Sequence, residues 1–162
     1  MAEKPRILIV DDEPIYLDIL VDALKNDYQI KVAKNGKDAL KFAKAAKTLN
    51  LILLDVLLPD ANGYEVCQQL KMAEQTKRIP IIFITAVSDV GHEAKGLELG
   101  AIDYIAKPFS LPIVKARIKH HLKRELYKTH LEELVQQQSS ELAKANSSLN
   151  ELIAKVKDEL RI

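Results

Sequence analysis

The stretch Arg6-Ile7-Leu8-Ile9-Val10-Asp11-Asp12-Glu13-Pro14 decides the fold. Four consecutive large aliphatic residues leave no polar face, which predicts a strand buried on both sides, as central parallel strands are. The run stops abruptly at three acidic residues, and Pro14 suits the first turn of a helix. A strand that ends in carboxylates and turns at once into a helix is half of a strand-helix-strand unit. Outward from it the pattern recurs, with further apolar runs at Gln29 to Ala33, Leu51 to Leu54, Ile79 to Ile84 and Ile102 to Ala106. Between them lie apolar residues at helical spacing: Ile15, Ile19, Leu20 and Leu24; Ala39, Leu40 and Ala43; Val66, Leu70 and Ala73; Ala94, Leu97 and Leu99. Asn35-Gly36 and Asn62-Gly63 suit tight connections, and Gly100 suits a helix end. The alternation predicts an α/β fold, a doubly wound sheet of five parallel strands.

After Pro112 the character changes, for the next fifty residues contain no Gly or Pro and are dominated by Leu, Lys, Glu, Gln and Ala. One long helical extension is expected, reaching about 75 Å at 1.5 Å per residue. From Leu131 onward, Val135, Leu142, Leu149 and Val156 recur every seven residues, with Leu131, Ala145 and Leu152 as second seam positions. This predicts a coiled-coil stalk through which two copies pair. Gln138 and Glu159 fall on the same stripe, and Leu149, Ile153, Val156 and Leu160 support a shifted register as well. The expected division is a domain over residues 5–122 and an extended helix over 123–162 that leads to an output module beyond it.

Composition narrows the classes. Hydrophobic residues make up 48% and charged residues 29%, the balance of a chain that buries a core. A formal charge of +1 exerts no global pull on nucleic acid or anionic membrane. Lys115, Arg117, Lys119, Lys123, Arg124 and Lys128 form a basic stretch, but no recognition helix follows a turn, so a solvated helix face and no direct nucleic-acid contact are expected. His120, His121 and His130 lack the surroundings of a phosphodonor histidine. Cys67, the single cysteine, rules out an intramolecular disulfide and sits beside Val66 on an apolar helix face. No apolar run approaches the roughly 20 residues needed to span a bilayer, and Met1 to Pro5 lead straight into a strand. A cytoplasmic protein with no membrane contact is expected.

In open parallel sheets ligands sit beyond the carboxyl ends of the strands. There the sequence places Asp11 and Asp12 after the first strand, Asp55 after the third, Thr85 after the fourth and Lys107 after the fifth. Three carboxylates together repel one another and favour a cation. Mg²⁺ fits best, because it accepts one or two carboxylates and shares a phosphate, whereas no His or Cys nearby offers a zinc set. The amine of Lys107 and the hydroxyl of Thr85 suit the remaining phosphate oxygens.

Over residues 5 to about 122 the sequence resembles the receiver domain of two-component response regulators. The motifs are Ile9-Val10-Asp11-Asp12-Glu13-Pro14, Leu53-Leu54-Asp55-Val56-Leu57-Leu58-Pro59, Ile84-Thr85-Ala86 and Tyr104-Ile105-Ala106-Lys107-Pro108-Phe109. The resemblance implies the flavodoxin-like strand order 2-1-3-4-5. It implies Asp55 as the acceptor of a phosphoryl group from a sensor histidine kinase or phosphotransfer protein. Mg²⁺ would be held by Asp12, Asp55 and the backbone carbonyl of Leu57, with Asp11 behind them. Thr85 and Lys107 would contact the phosphoryl group, Tyr104 would rotate on activation, and the Lys107–Pro108 bond would be cis. Departures are mild: Leu58 stands before Pro59 and Ala61-Asn62 before Gly63. Leu57 and Val87 are apolar where many relatives are polar, which implies slow self-dephosphorylation.

Three functional classes compete. The surplus helix favours a receiver coupled through a dimeric stalk to an output, for which the resemblance of the closing residues suggests a serine/threonine phosphatase, with a cyclic-dinucleotide enzyme as alternative. A stand-alone receiver would instead dock partners through the tail. A metal-dependent hydrolase on the same fold is disfavoured by Thr85 and Lys107-Pro108 at the strand ends. The chain itself is therefore expected not to be an enzyme toward outside substrates.

Overall fold

A computed structural model describes residues 2–87 and 89–161, so Met1 and Ile162, the outermost residues of the sequence reading, lie outside it. The chain alternates β1 (Arg6–Val10), α1 (Pro14–Leu24), β2 (Gln29–Ala33), α2 (Gly36–Ala45), β3 (Leu51–Leu54), α3 (Gly63–Met72), β4 (Ile81–Thr85), α4 (Val90–Glu98), β5 (Asp103–Ala106) and α5 (Leu111–Leu160). All neighbouring strands are parallel and the order is 2-1-3-4-5. This is the expected doubly wound fold with its long C-terminal helix.

Side-chain alternation distributes each central strand to two cores. Ile7, Ile9, Leu51, Leu53, Ile82 and Ile84 meet Leu17, Leu20 and Leu24 of α1 and Val114 and Ile118 of α5. Leu8, Val10, Ile52, Leu54, Ile81 and Phe83 meet Ala39 and Ala43 of α2 and Val66, Cys67 and Leu70 of α3. Burying both faces leaves no place for a polar residue inside these strands, which is why the polar residues collect at their ends.

Several local expectations change in three dimensions. Ile15 and Ile19 on α1 are exposed while Leu17, Leu20 and Leu24 are buried, because the sheet covers only part of the helix's apolar arc. Strand β2 lies at the edge of the sheet, so Gln29 and Lys31 face solvent. On α4 the buried residue is Gly96, whereas Ala94 and Leu97 are exposed. A Cβ at Gly96 would lie 3.0 Å from the rings of both Phe83 and Tyr104, so the aromatic side chains fill the space that a larger residue would need. Strand β4 starts at Ile81, after Pro80, which has no N–H to give. The two Asn-Gly pairs act as helix starts: Asn35 accepts from the Asp38 N–H and Asn62 from the Tyr64 N–H. Gly100, at φ 104°, ends α4 in the left-handed region.

The chain divides into two units, Met1–Leu122 and Lys123–Ile162. Helix α5 belongs to both. Within the first unit it buries Val114, Ile118 and His121. In the second unit the large apolar residues of the helix are all exposed, among them Leu131, Val135, Leu142, Leu149, Leu152 and Val156. Among the described residues no helix is long and apolar enough to cross a membrane.

Cys67 is fully buried, and burial pushes its thiol up from 9.0 to about 11. Iodoacetamide at pH 8 should therefore leave the native protein unlabelled and label it fully once unfolded. A folded value above the unfolded one means that the protonated thiol is favoured by the fold. Its contribution is whole below pH 9 and is lost as pH rises towards about 11. At about 1.4 kcal/mol per pH unit this makes roughly 2 to 3 kcal/mol. Denaturant titrations of Cys67→Ala should accordingly show a shallower alkaline decline than the wild type.

Candidate functional site

The ladder bonds of the sheet continue one step past the strands and hold the backbone of the site. The Asp11 N–H donates to the Ala33 carbonyl at 3.1 Å, the Asp55 N–H to Val10 at 2.9 Å, and the Lys107 N–H to Thr85 at 2.8 Å. Their side chains are thereby aimed from the ends of β1, β3 and β5 into one crevice. At its centre lies the Lys107 ammonium, whose side chain is 1% exposed. It donates to Asp11 Oδ2 at 2.6 Å, to Asp55 Oδ2 at 2.8 Å and to the half-exposed Glu13 at 3.3 Å. It also sits 4.1 Å from the centroid of the Tyr16 ring.

Each buried carboxylate is satisfied in the same way. One oxygen of Asp11 accepts from the Glu13 N–H at 2.9 Å and one oxygen of Asp55 from the Leu57 N–H at 3.2 Å, while the second oxygen of each takes Lys107. Burial raises the Asp11 carboxyl above its ordinary range, and outweighs the opposing pull of Lys107 and the Glu13 N–H. Burial alone would depress the Lys107 amine, but its bonds to Asp11 and Asp55 more than offset this and hold it above its ordinary value.

Asp12, exposed at the rim, completes a group in which Asp11, Asp12 and Asp55 each present an oxygen within 4.8 Å of the others. Three carboxylates against one ammonium leave two negative charges, so the donor set matches a hard divalent cation in charge and in being all oxygen. Thr85 is buried, and its hydroxyl accepts from the Val87 N–H at 3.3 Å. The Lys107–Pro108 bond is cis.

Tyr104 is buried, and its hydroxyl bonds the Val87 carbonyl and, at 3.1 Å, the hydroxyl of Tyr64. Tyr64 also donates to the His92 carbonyl at 3.1 Å. The sequence reading missed Tyr64, which nothing in residue type or spacing marks out. It also missed Asp103, whose carboxylate takes Arg117 and the buried His121, each at 2.9 Å. Thus Arg117 leaves the basic stretch for an ion pair. The residues read from sequence as a stalk, Leu131 to Val156, lie in the second unit.

Residues 7–119 match the family model described as the response regulator receiver domain. A Vibrio cholerae protein named probable cyclic di-GMP phosphodiesterase is 43% identical over 119 residues, covering 74% of this chain and 27% of that protein. The alkaline phosphatase synthesis transcriptional regulatory protein PhoP of Bacillus subtilis is 43% identical over 120 residues, covering 74% of this chain and 49% of that protein. The chain thus spans about a quarter to a half of the length of these curated relatives. The crystal structure of a receiver domain from a Pseudomonas aeruginosa sensor histidine kinase, with a magnesium ion coordinated in its active site cleft, is 27% identical with a TM-score of 0.68, covering 74% of this chain and 98% of that one. With its strand order, its carboxylate crevice and the match over most of its length, the chain belongs to the response regulator receiver domain family.

Proposed function

We propose that this receiver is switched by phosphorylation of Asp55. The observation that carries the reading is the buried ammonium of Lys107 shared between Asp55 and Asp11 under an exposed third carboxylate. A carboxylate oxygen of Asp55 attacks the phosphorus of a phosphohistidine on a sensor kinase or phosphotransfer protein. The new phosphorus–oxygen bond forms as the phosphorus–nitrogen bond breaks, and the imidazole leaves with that electron pair. Asp12, Asp55 and the Leu57 carbonyl would hold Mg²⁺, with Asp11 behind them; when bound, the ion offsets negative charge on the transferring phosphoryl oxygens. Lys107 and the Thr85 hydroxyl take up the other oxygens. The phosphoryl group, which replaces the single negative charge of the carboxylate with about two and brings three acceptor oxygens, then draws Thr85 inward and biases Tyr104.

The exposed stripe of the second unit supports a second element of the reading. Leu142 and Val135 are both 62% exposed and Leu149 is 54% exposed, a row of large apolar residues without cover in this chain. Pairing with a parallel second copy buries it, and phosphorylation biases that dimer and its output. A cyclic-dinucleotide phosphodiesterase output is supported by the name of the Vibrio cholerae relative. The receiver acting alone through its helical tail is the second reading; no serine/threonine phosphatase is named among the relatives described above. The signalling setting is cytoplasmic.

Incubation with a small-molecule phosphodonor and Mg²⁺ should label the wild type and leave Asp55→Asn unlabelled but folded, since the exchange is nearly isosteric. Asp12→Ala should first weaken Mg²⁺ binding, and labelling only in consequence. Wild-type labelling of Asp55→Asn would overturn the assignment. In the same assay the phosphorylated state should decay slowly, because neither Leu57 nor Val87 offers a polar group to orient water. Leu57→Asn should shorten its lifetime, and a wild-type lifetime of seconds would contradict this account. Light scattering at tens of micromolar should find a dimer that becomes a monomer on truncation after His130. A dimer surviving that truncation would place the pairing elsewhere.

A further inference from the structure

The loop that follows Asp55 is tied down at two places. At its neck the Gly63 N–H donates to the Val56 carbonyl at 2.7 Å, and Leu57 and Asn62 form an antiparallel bridge. Gly63 is required there, because a Cβ would overlap the Asp55 carbonyl oxygen and lie 2.7 Å from the Val56 Cα. At its tip, Asp60 reaches across to α2, where Oδ1 accepts from the Gly36 N–H at 2.7 Å and Oδ2 from the Lys37 N–H at 2.9 Å. One carboxylate thus serves two of the N–H groups that a helix start leaves unpaired, and Asn35 serves a third on Asp38 at 2.7 Å. The contact is close: a Cβ at Gly36 would come within 3.0 Å of Ala61 Cβ and Val66 Cγ2. A negative group at a helix N-terminus is favoured by the helix dipole. The Gly36 and Lys37 N–H groups hold the Asp60 carboxyl below the usual carboxylate range.

Leu57 is itself a partner in the neck bridge, but it is 58% exposed, so side-chain packing adds little to the hold on its backbone and the direction of the loop beyond it depends on the tip. We propose that Asp60 is a positioning residue for the cation site. By tying the loop tip to α2 it sets the direction of the Leu57 carbonyl, which completes the oxygen set with Asp12 and Asp55. This role rests on the Mg²⁺ reading above. Mg²⁺ demands near-octahedral oxygens at short distance, so a carbonyl free to sample other directions loses affinity. Residues that orient a ligand from behind typically govern tenfold or more of metal affinity.

The test is Mg²⁺ titration calorimetry on the full chain, together with amide hydrogen exchange at Leu57 and Leu58 in the metal-free protein. Asp60→Ala should weaken Mg²⁺ binding about tenfold and speed exchange at both amides. Asp60→Asn, which keeps one acceptor, should fall between. Asn35→Ala removes the other cap of the same helix and should lower stability without changing Mg²⁺ affinity, which separates positioning from a general loss of structure. Unchanged affinity in Asp60→Ala, or an equal loss in Asn35→Ala, would overturn the positioning role alone. A wild type that binds no Mg²⁺ at these carboxylates would overturn both that role and the Mg²⁺ reading on which it rests.

Discussion

The ammonium of Lys107, buried between Asp11 and Asp55, is the interaction on which the site depends. Two carboxylates brought out of water at neighbouring strand ends repel one another, and removing one member of such a buried group commonly costs about 3 to 5 kcal/mol. The arrangement is tolerable because every oxygen has a use: one of each pair takes a backbone N–H and the other takes Lys107. Among the described residues no buried side-chain nitrogen or oxygen lacks a partner. The same balance leaves the cluster negative, since one ammonium cannot neutralise three carboxylates. Under the proposed reading, a divalent cation and a phosphoryl group are the two guests that this centre takes together.

That interaction is made possible by a sheet that cannot shift. Strands β1, β3 and β4 are buried on both faces, with the two cores drawing on alternate residues of the same strand. Moving one strand end by an ångström would disturb both cores at once, and close-packed interiors resist such strain. The side chains of the crevice therefore stand at the ends of rigid elements. Gly63 shows how little room is left, since the backbone of α3 begins against that of Asp55 and Val56.

How much of this was legible in the sequence follows from the range of the interactions. A strand buried on both faces announces itself in consecutive aliphatic residues, and a polar residue directly after it must stand at the sheet's edge. Hence the sequence alone puts Asp11, Asp12, Asp55, Thr85 and Lys107 at one edge of the sheet, and the first three with Lys107 do not depend on any longer-range signal to meet. Periodicity gives the width of an apolar arc but not which part the sheet will cover, so Ile15 and Ile19 were grouped with the buried residues of α1 although they face solvent. Asp60 and Tyr64 went unnoticed for a different reason. Their roles exist only through partners 23 to 40 positions away in the chain, and neither carries a local mark of that pairing. Gly96 is legible only once Phe83 and Tyr104 are known to lie over it.

The route from the site to β5 passes through the two backbone groups of one residue. The Val87 N–H donates to the Thr85 hydroxyl, and the Val87 carbonyl accepts from Tyr104. Under the proposed phosphorylation of Asp55, a movement of Thr85 toward the phosphoryl group would act on the peptide that seats Tyr104. The seat itself is not fully bonded. Tyr64 and Tyr104 make three hydroxyl contacts, to His92, to Val87 and to each other, but two hydroxyls carry only two protons. Both carbonyls can only accept, so whenever both are served the contact between the hydroxyls has no proton. The buried position of Tyr104 is consequently held by one full hydrogen bond, to Val87, together with packing against Phe83 and Gly96. Packing of one ring and a single full hydrogen bond amount to a few kcal/mol. Under the proposed reading, differential contacts of the same size made by a phosphoryl group would suffice to move the ring.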